Sequence, residues 1–172
     1  MDRWYILLAF CLLVWGGLSR PVHAVGDPFE RASLIGITNL QVVIEDLNPL
    51  IVNDGLDRER IKETVSQRLE RAGIIVEEQA EHALYIHLDA VKNDVGFYSY
   101  SASFQLLQMV LLFRDPGIVT WGTTWSSHNT GAVAPDQVHE LELEVQRGVQ
   151  MFLADYRAAN AVLWEESSYW LE

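Results

Sequence analysis

Two extended runs, 97–114 and 118–130, flank the tripeptide Asp115-Pro116-Gly117. Proline presets φ at the first corner of a turn and glycine accepts a positive φ, so the segment reads as one long antiparallel hairpin. The first run changes face partway along: its apolar parity is Tyr98, Tyr100, Ala102, Phe104 and then Leu107, Met109, Leu111, Phe113. A β-bulge near Leu106-Leu107 would restore one continuous buried face. With Phe113 opposite Val119, Leu111 faces Trp121 and Leu107 faces Trp125, so three apolar cross-strand pairs would stack on that face. A sheet built around such a hairpin needs a covering layer, and the rest of the chain supplies it.

Residues 34–47 are rich in β-branched side chains and close at Asn48-Pro49, which suggests a strand. Between Asp57 and Ala72 the pattern becomes helical, with Ile61, Val65, Leu69 and Ala72 on one stripe, an aspartate to cap the start and Gly73 to end it. Ile74-Ile75-Val76 is a short strand, and 83–91 alternates strictly, with Leu84, Ile86, Leu88 and Ala90 on one side and Tyr85, His87 and Asp89 on the other. Pro135 opens a last helix whose stripe is Val138, Leu141, Val145, Val149, Phe152 and Tyr156, ending near Asn160. The expected fold is α+β: a mainly antiparallel four- to five-stranded sheet with two amphipathic helices packed on one face.

The N-terminus reads as an address. Arg3 precedes the apolar run 6–15, and Val22-His23-Ala24 offers a cleavage site, so residues 1–24 are expected to be a secretory signal peptide. The run is too short to span a bilayer, which takes roughly 20 apolar residues. Residues 25–33 read as a loose arm, 34–160 as a single domain, and 161–172 as an acidic, aromatic tail. The expected location is therefore exported, periplasmic or secreted, and soluble after cleavage.

Composition then excludes several chemistries. The chain carries 12 Lys+Arg against 24 Asp+Glu, a net charge of −12. Losing Arg3, Arg20 and Asp2 with the signal would leave 10 against 23, so the acidity belongs to the mature domain. An acidic surface argues against nucleic acid, whose phosphates need cationic contacts. The one cysteine, Cys11, lies in the signal run behind the bulky Phe10, which removes disulfides, thiolate metal sites, a cysteine nucleophile and a lipid acceptor from consideration.

Of the remaining candidates, His87 and Asp89 share a strand face and His128 could join them from the hairpin, which is the best case for a periplasmic hydrolase; a solvated strand face explains the three more simply. Ser127 and His128 are neighbours on a strand and point to opposite faces, so they cannot hydrogen-bond as a nucleophile and base. No histidine spacing matches a metal site and no glycine-rich phosphate loop occurs, so no metal or cofactor is expected. Tyr98, Tyr100, Trp121 and Trp125 could form an aromatic platform if exposed, although Leu111, Phe113 and Val119 on the same expected face favour a core. Tyr98 and Tyr100, with Trp164 and Trp170 of the tail, are the residues named for partner binding.

The stretch 120–125 (TWGTTW) with Gly131, Phe152-Leu153-Ala154-Asp155-Tyr156, Asn160, and Ala72-Gly73-Ile74 ahead of a strand resembles an uncharacterised family of small exported bacterial proteins. The element order is also similar to small periplasmic helper modules of envelope-assembly machines. The resemblance implies no activity. The function expected is that of a non-enzymatic exported domain that binds a protein or cell-envelope component.

Overall fold

The computed structural model describes residues 27–168, with side chains as far as Ala161. The expected signal peptide, Cys11 and the last four residues lie outside that range. The chain runs α1 (Pro28–Ala32), β1 (Asn39–Ile44), α2 (Pro49–Asn53), α3 (Arg58–Arg71), β2 (Ile75–Val76), β3 (Ala83–Lys92), β4 (Tyr98–Leu112), β5 (Asp115–Val133), a 3₁₀ turn (Pro135–Gln137) and α4 (Glu140–Ser168).

Helix α3 follows its sequence signals closely. The Asp57 carboxylate accepts from the N–H groups of Glu59 (2.9 Å) and Arg60 (3.1 Å), filling two of the donors that a helix start leaves unpaired. Gly73 takes φ 84°, and Ile74 N–H turns back to the Leu69 carbonyl at 3.1 Å, the closing bond of a Schellman cap. The predicted stripe of Ile61, Val65 and Leu69 is buried.

The strands form one open sheet in the order β2-β1-β3-β4-β5. The α+β class fits, but the sheet is mixed instead of mainly antiparallel: β1 pairs in parallel with both β2 and β3, while β3–β4 and β4–β5 are antiparallel. Connection length decides this. Tight turns join β3, β4 and β5, whereas the helical excursion through α2 and α3 returns the chain in its original direction beside β1. Leu40, Val42, Ile44, Leu84, Ile86, Leu88, Phe104, Leu106 and Trp125 meet the stripes of α3 and α4 in a single core. Every residue of the predicted last-helix stripe, from Val138 to Tyr156, is buried.

Four local expectations change. Pro135 begins a 3₁₀ turn and α4 starts at Glu140. That helix continues past Asn160 to Ser168, since neither glycine nor proline occurs between Gly148 and Ser168 to stop it. Segment 28–32, read as loose, is a helical turn capped by Asp27 and tied to α4 by an Arg31–Asp155 ion pair of 3.3 Å. Strand β1 is shorter than 34–47, because the chain turns at Gly36 (φ 76°) and Asn48 caps α2.

The hairpin differs most. Its turn is Phe113-Arg114, two residues before Pro116, and its register places Leu111 opposite Val119 and Met109 opposite Trp121. The register shift does fall at Leu106/Leu107, but the partners step from Trp125 to Thr123, so the extra residue is Thr124 of β5. The pleat of β4 therefore runs on uninterrupted. Leu107, Met109, Leu111 and Phe113 are not brought into the core face of Tyr98–Phe104; they belong to the other side of the sheet.

Candidate functional site

The open face of the sheet collects the residues considered for hydrolysis without bringing them together. His87, Ser103 and His128 occupy one cross-strand row and Asp89, Ser101 and Thr130 the next. Strand β4 thus separates the two histidines by two strand spacings, roughly 10 Å. His87 instead turns toward β1, where its Nδ1 lies 2.6 Å from Glu45 Oε2. The Tyr85 hydroxyl donates to the same carboxylate oxygen. That bond, with a further contribution from His87, holds the Glu45 carboxyl below its ordinary range, and the carboxylate in turn raises the Tyr85 hydroxyl. Glu45 lies just beyond β1, so no spacing rule linked it with His87. Ser127 points to the helix side, its hydroxyl 3.6 Å from Met151 Sδ. Among the described residues no three His, Cys, Asp or Glu side chains are grouped to hold a metal ion.

The residues named for partner binding are placed differently. Tyr98 and Tyr100 are 1% and 9% exposed, packed beneath the helical layer, so neither ring offers a face to a partner. Tyr98 reaches past the core only with its hydroxyl, which donates to Asp54 Oδ2 at 2.7 Å; Lys92 Nζ stands 3.6 Å from that oxygen and 5.0 Å from the ring centroid. The side chain of Trp164 and all of Trp170 lie outside the described residues. Trp125 is also core: its Nε1 donates to Asp155 at 3.0 Å, and its ring meets Phe152 edge-on at 5.2 Å.

Trp121 parts company with that group, and it marks the feature that sequence reasoning missed. Beyond Leu107, β4 has no β3 partner, so 108–123 forms a two-stranded ribbon overhanging the rest of the sheet. Its large apolar side chains are exposed: Phe113 102%, Leu111 66%, Met109 59% and Trp121 55%, with Ile118 and Val119 also exposed. Exposure of one apolar residue is ordinary, whereas six on one protruding element form the kind of contiguous surface that marks an interaction site. The sequence did carry a signal. Under the observed pairing, the helix-side row of the ribbon includes Gln108, Thr120 and Gly122, too small and polar to form a core under a helix.

Strand β5 is also the sheet's outer edge. From Pro116 to Val133 it contains no Asp, Glu, Lys or Arg, so it lacks the charges that commonly guard an edge. Among the described residues, helix α1 meets it near the bulge, where Ser33 Oγ donates to the Thr124 carbonyl at 3.1 Å and Ser126 Oγ to Glu30 at 3.0 Å. No helix of the described residues is long and apolar enough to cross a membrane.

Comparison with known proteins found no matching family model and no matching curated protein. Among solved structures, a minor lipoprotein from Acinetobacter baumannii is similar at 7% identity and a TM-score of 0.38, covering 71% of this chain and 94% of that one. The PelC dodecamer from Paraburkholderia phytofirmans is similar at 14% identity and a TM-score of 0.37, covering 76% of this chain and 91% of that one.

Proposed function

We propose that this protein is an exported, non-enzymatic domain that binds a protein or other cell-envelope component through the β4–β5 ribbon. The observation that carries the reading is the concentration of Met109, Leu111, Phe113, Ile118, Val119 and Trp121, all exposed, on an element that leaves the body of the sheet. The same chain buries its other long apolar stripes fully under α3 and α4, so the exposed set is not a general failure of packing. Leaving such side chains in water forgoes about 1.5–3 kcal/mol for each large one, a cost that binding recovers. Export is supported by the basic residue and ten-residue apolar run at the start of the sequence.

The test is site-specific photo-crosslinking in the native cell envelope. A photoreactive side chain replacing Leu111 should give an adduct with an envelope component, while one replacing Glu63 on the exposed side of α3 should not. Adducts equally abundant at both positions, or absent at Leu111, would refute the proposal.

A further inference from the structure

Binding through the ribbon leaves the chemistry of the partner open, and the surface of the ribbon narrows it. We propose that residues 109–121 insert into the interfacial layer of a lipid bilayer; this deepens the reading above and rests on it. Three observations converge.

Both faces of the ribbon tip carry apolar side chains, with Thr120 the polar exception between strands and Arg114 and Asp115 at the turn. Met109, Leu111, Val119 and Trp121 share the open face, Val110 and Leu112 alternate to the other, Phe113 forms the turn, and Ile118 is exposed beside Pro116-Gly117. Docking in a protein groove covers one face of a strand pair. Apolar groups on both faces instead fit surroundings that are apolar on both sides.

Charge points the same way. Between Leu107 and Thr123 the only charged side chains are Arg114 and Asp115, which cancel, on a protein of net charge −12. Such a protein is repelled by an anionic surface as a whole, so attachment must come from apolar burial and not from electrostatic attraction.

The third observation is the order of side chains along the ribbon. Phe113 and Arg114 form the turn, followed by Leu111 and Val119, and then by Trp121 opposite Met109, roughly 14 Å behind the turn at 3.4 Å per residue. Gln108 and Thr123 come next. Behind the oppositely charged pair Arg114-Asp115 at the turn, hydrocarbon, then an indole with its N–H, then amide and hydroxyl groups follow the polarity gradient of a bilayer surface. Depth is limited by the same backbone. The outer edges of a two-stranded ribbon leave N–H and C=O groups that hydrocarbon cannot satisfy, so insertion stops at the interface.

The experiment uses the full chain with Cys11→Ser and a single introduced cysteine, Ile118→Cys or Val95→Cys, each carrying an environment-sensitive fluorophore. Val95 is exposed on the turn before β4, at the far end of that strand from the tip. Because each label reports locally, binding contributed by residues 1–24 does not register at position 118. With vesicles of phosphatidylcholine, and of phosphatidylethanolamine with phosphatidylglycerol, the label at 118 should be quenched by lipid-borne nitroxide and shielded from aqueous iodide, at low and high salt alike. The label at 95 should stay open to iodide. Phe113→Ser combined with Leu111→Ser should weaken shielding at 118 about 100-fold in lipid concentration, with an unchanged far-UV spectrum since both side chains are exposed.

Contact only with the anionic vesicles that salt releases would overturn insertion in favour of a surface attraction. A label at 118 that iodide reaches on every vesicle, while the Leu111 crosslinker captures an envelope protein, would overturn the lipid partner and leave the binding function standing. Failure of both label and crosslinker would overturn the two together.

Discussion

Alanine in place of an exposed helix glycine usually stabilises a protein, by up to about 1 kcal/mol. At Gly148 of α4 the sign should reverse. A Cβ there would lie 2.1 Å from Cε2 and Cζ of Phe104 and 2.6 Å from Cδ2, whereas carbon atoms pack at roughly 3.5–4.0 Å. Either the ring or the helix axis must therefore yield by roughly 1.5 Å. Phe104 is wholly buried in β4, so its ring has no route to solvent. Overpacking of this kind costs about 1–3 kcal/mol. With no free direction the upper end applies, and subtracting the helix-propensity gain leaves a net loss of about 2 kcal/mol. For a domain of this size that lowers Tm by roughly 6 °C.

Urea and thermal unfolding followed by circular dichroism measure the change directly. The double variant Gly148→Ala with Phe104→Leu identifies its cause, because the new methyl occupies volume that the smaller side chain vacates. The two substitutions together should be less damaging than their sum by about 1 kcal/mol. A raised unfolding midpoint for Gly148→Ala, or strict additivity in the double variant, would refute the close approach of α4 to β4 at this point.

Three further outcomes follow from the contacts described. The Tyr98 hydroxyl, and after it Lys92, holds the Asp54 carboxyl below its ordinary range; a lowered folded pKa gives stability that is present above the unfolded value of about 4 and is lost as pH falls through the folded value. Tyr98→Phe should therefore narrow its stability gap to the parent as pH falls from about 5 to about 2, and a gap constant across that window in urea melts would contradict the pairing. Asn160 is buried, donates to the carbonyls of Leu34 (3.1 Å) and Tyr156 (2.8 Å) and accepts from Gly36 N–H (2.9 Å). Asn160→Ala should cost about 2–3 kcal/mol, and an unfolding midpoint equal to the parent's would show that these bonds are not needed. Trp125→Phe keeps an aromatic ring against Phe152 but loses the bond to Asp155, which should cost about 1–2 kcal/mol; amide exchange that fails to accelerate around α1 and the middle of α4 would count against the Arg31–Asp155–Trp125 link.

Sequence alone determined the elements whose signals are local. An aspartate cap, open between Asp54 and Asp57 in the sequence and Asp57 in the structure, the Gly73 terminator, the alternation of Leu84, Ile86, Leu88 and Ala90, and the stripe from Val138 to Tyr156 each depend on spacing within one segment, and each lies where its pattern places it. The change of apolar parity near Leu106 was legible for the same reason, since it is a property of one strand, but the bulge in that strand that it suggested is absent. The register shift at this point takes its extra residue, Thr124, from β5, because a bulge belongs to a pair of strands and either can take it. That choice left the strand's two apolar parities on opposite sides of the sheet: Tyr98 and Tyr100, named for a partner, went under the helices, while Leu111, Phe113 and Trp121, expected in the core, went into solvent. Likewise the pairing of His87 with Glu45 and its separation from His128 follow from which strands neighbour one another. Local pattern says which residues share a face. Only the closed set of strand pairings decides whether a layer covers it, and here the uncovered part is the overhanging end of the hairpin.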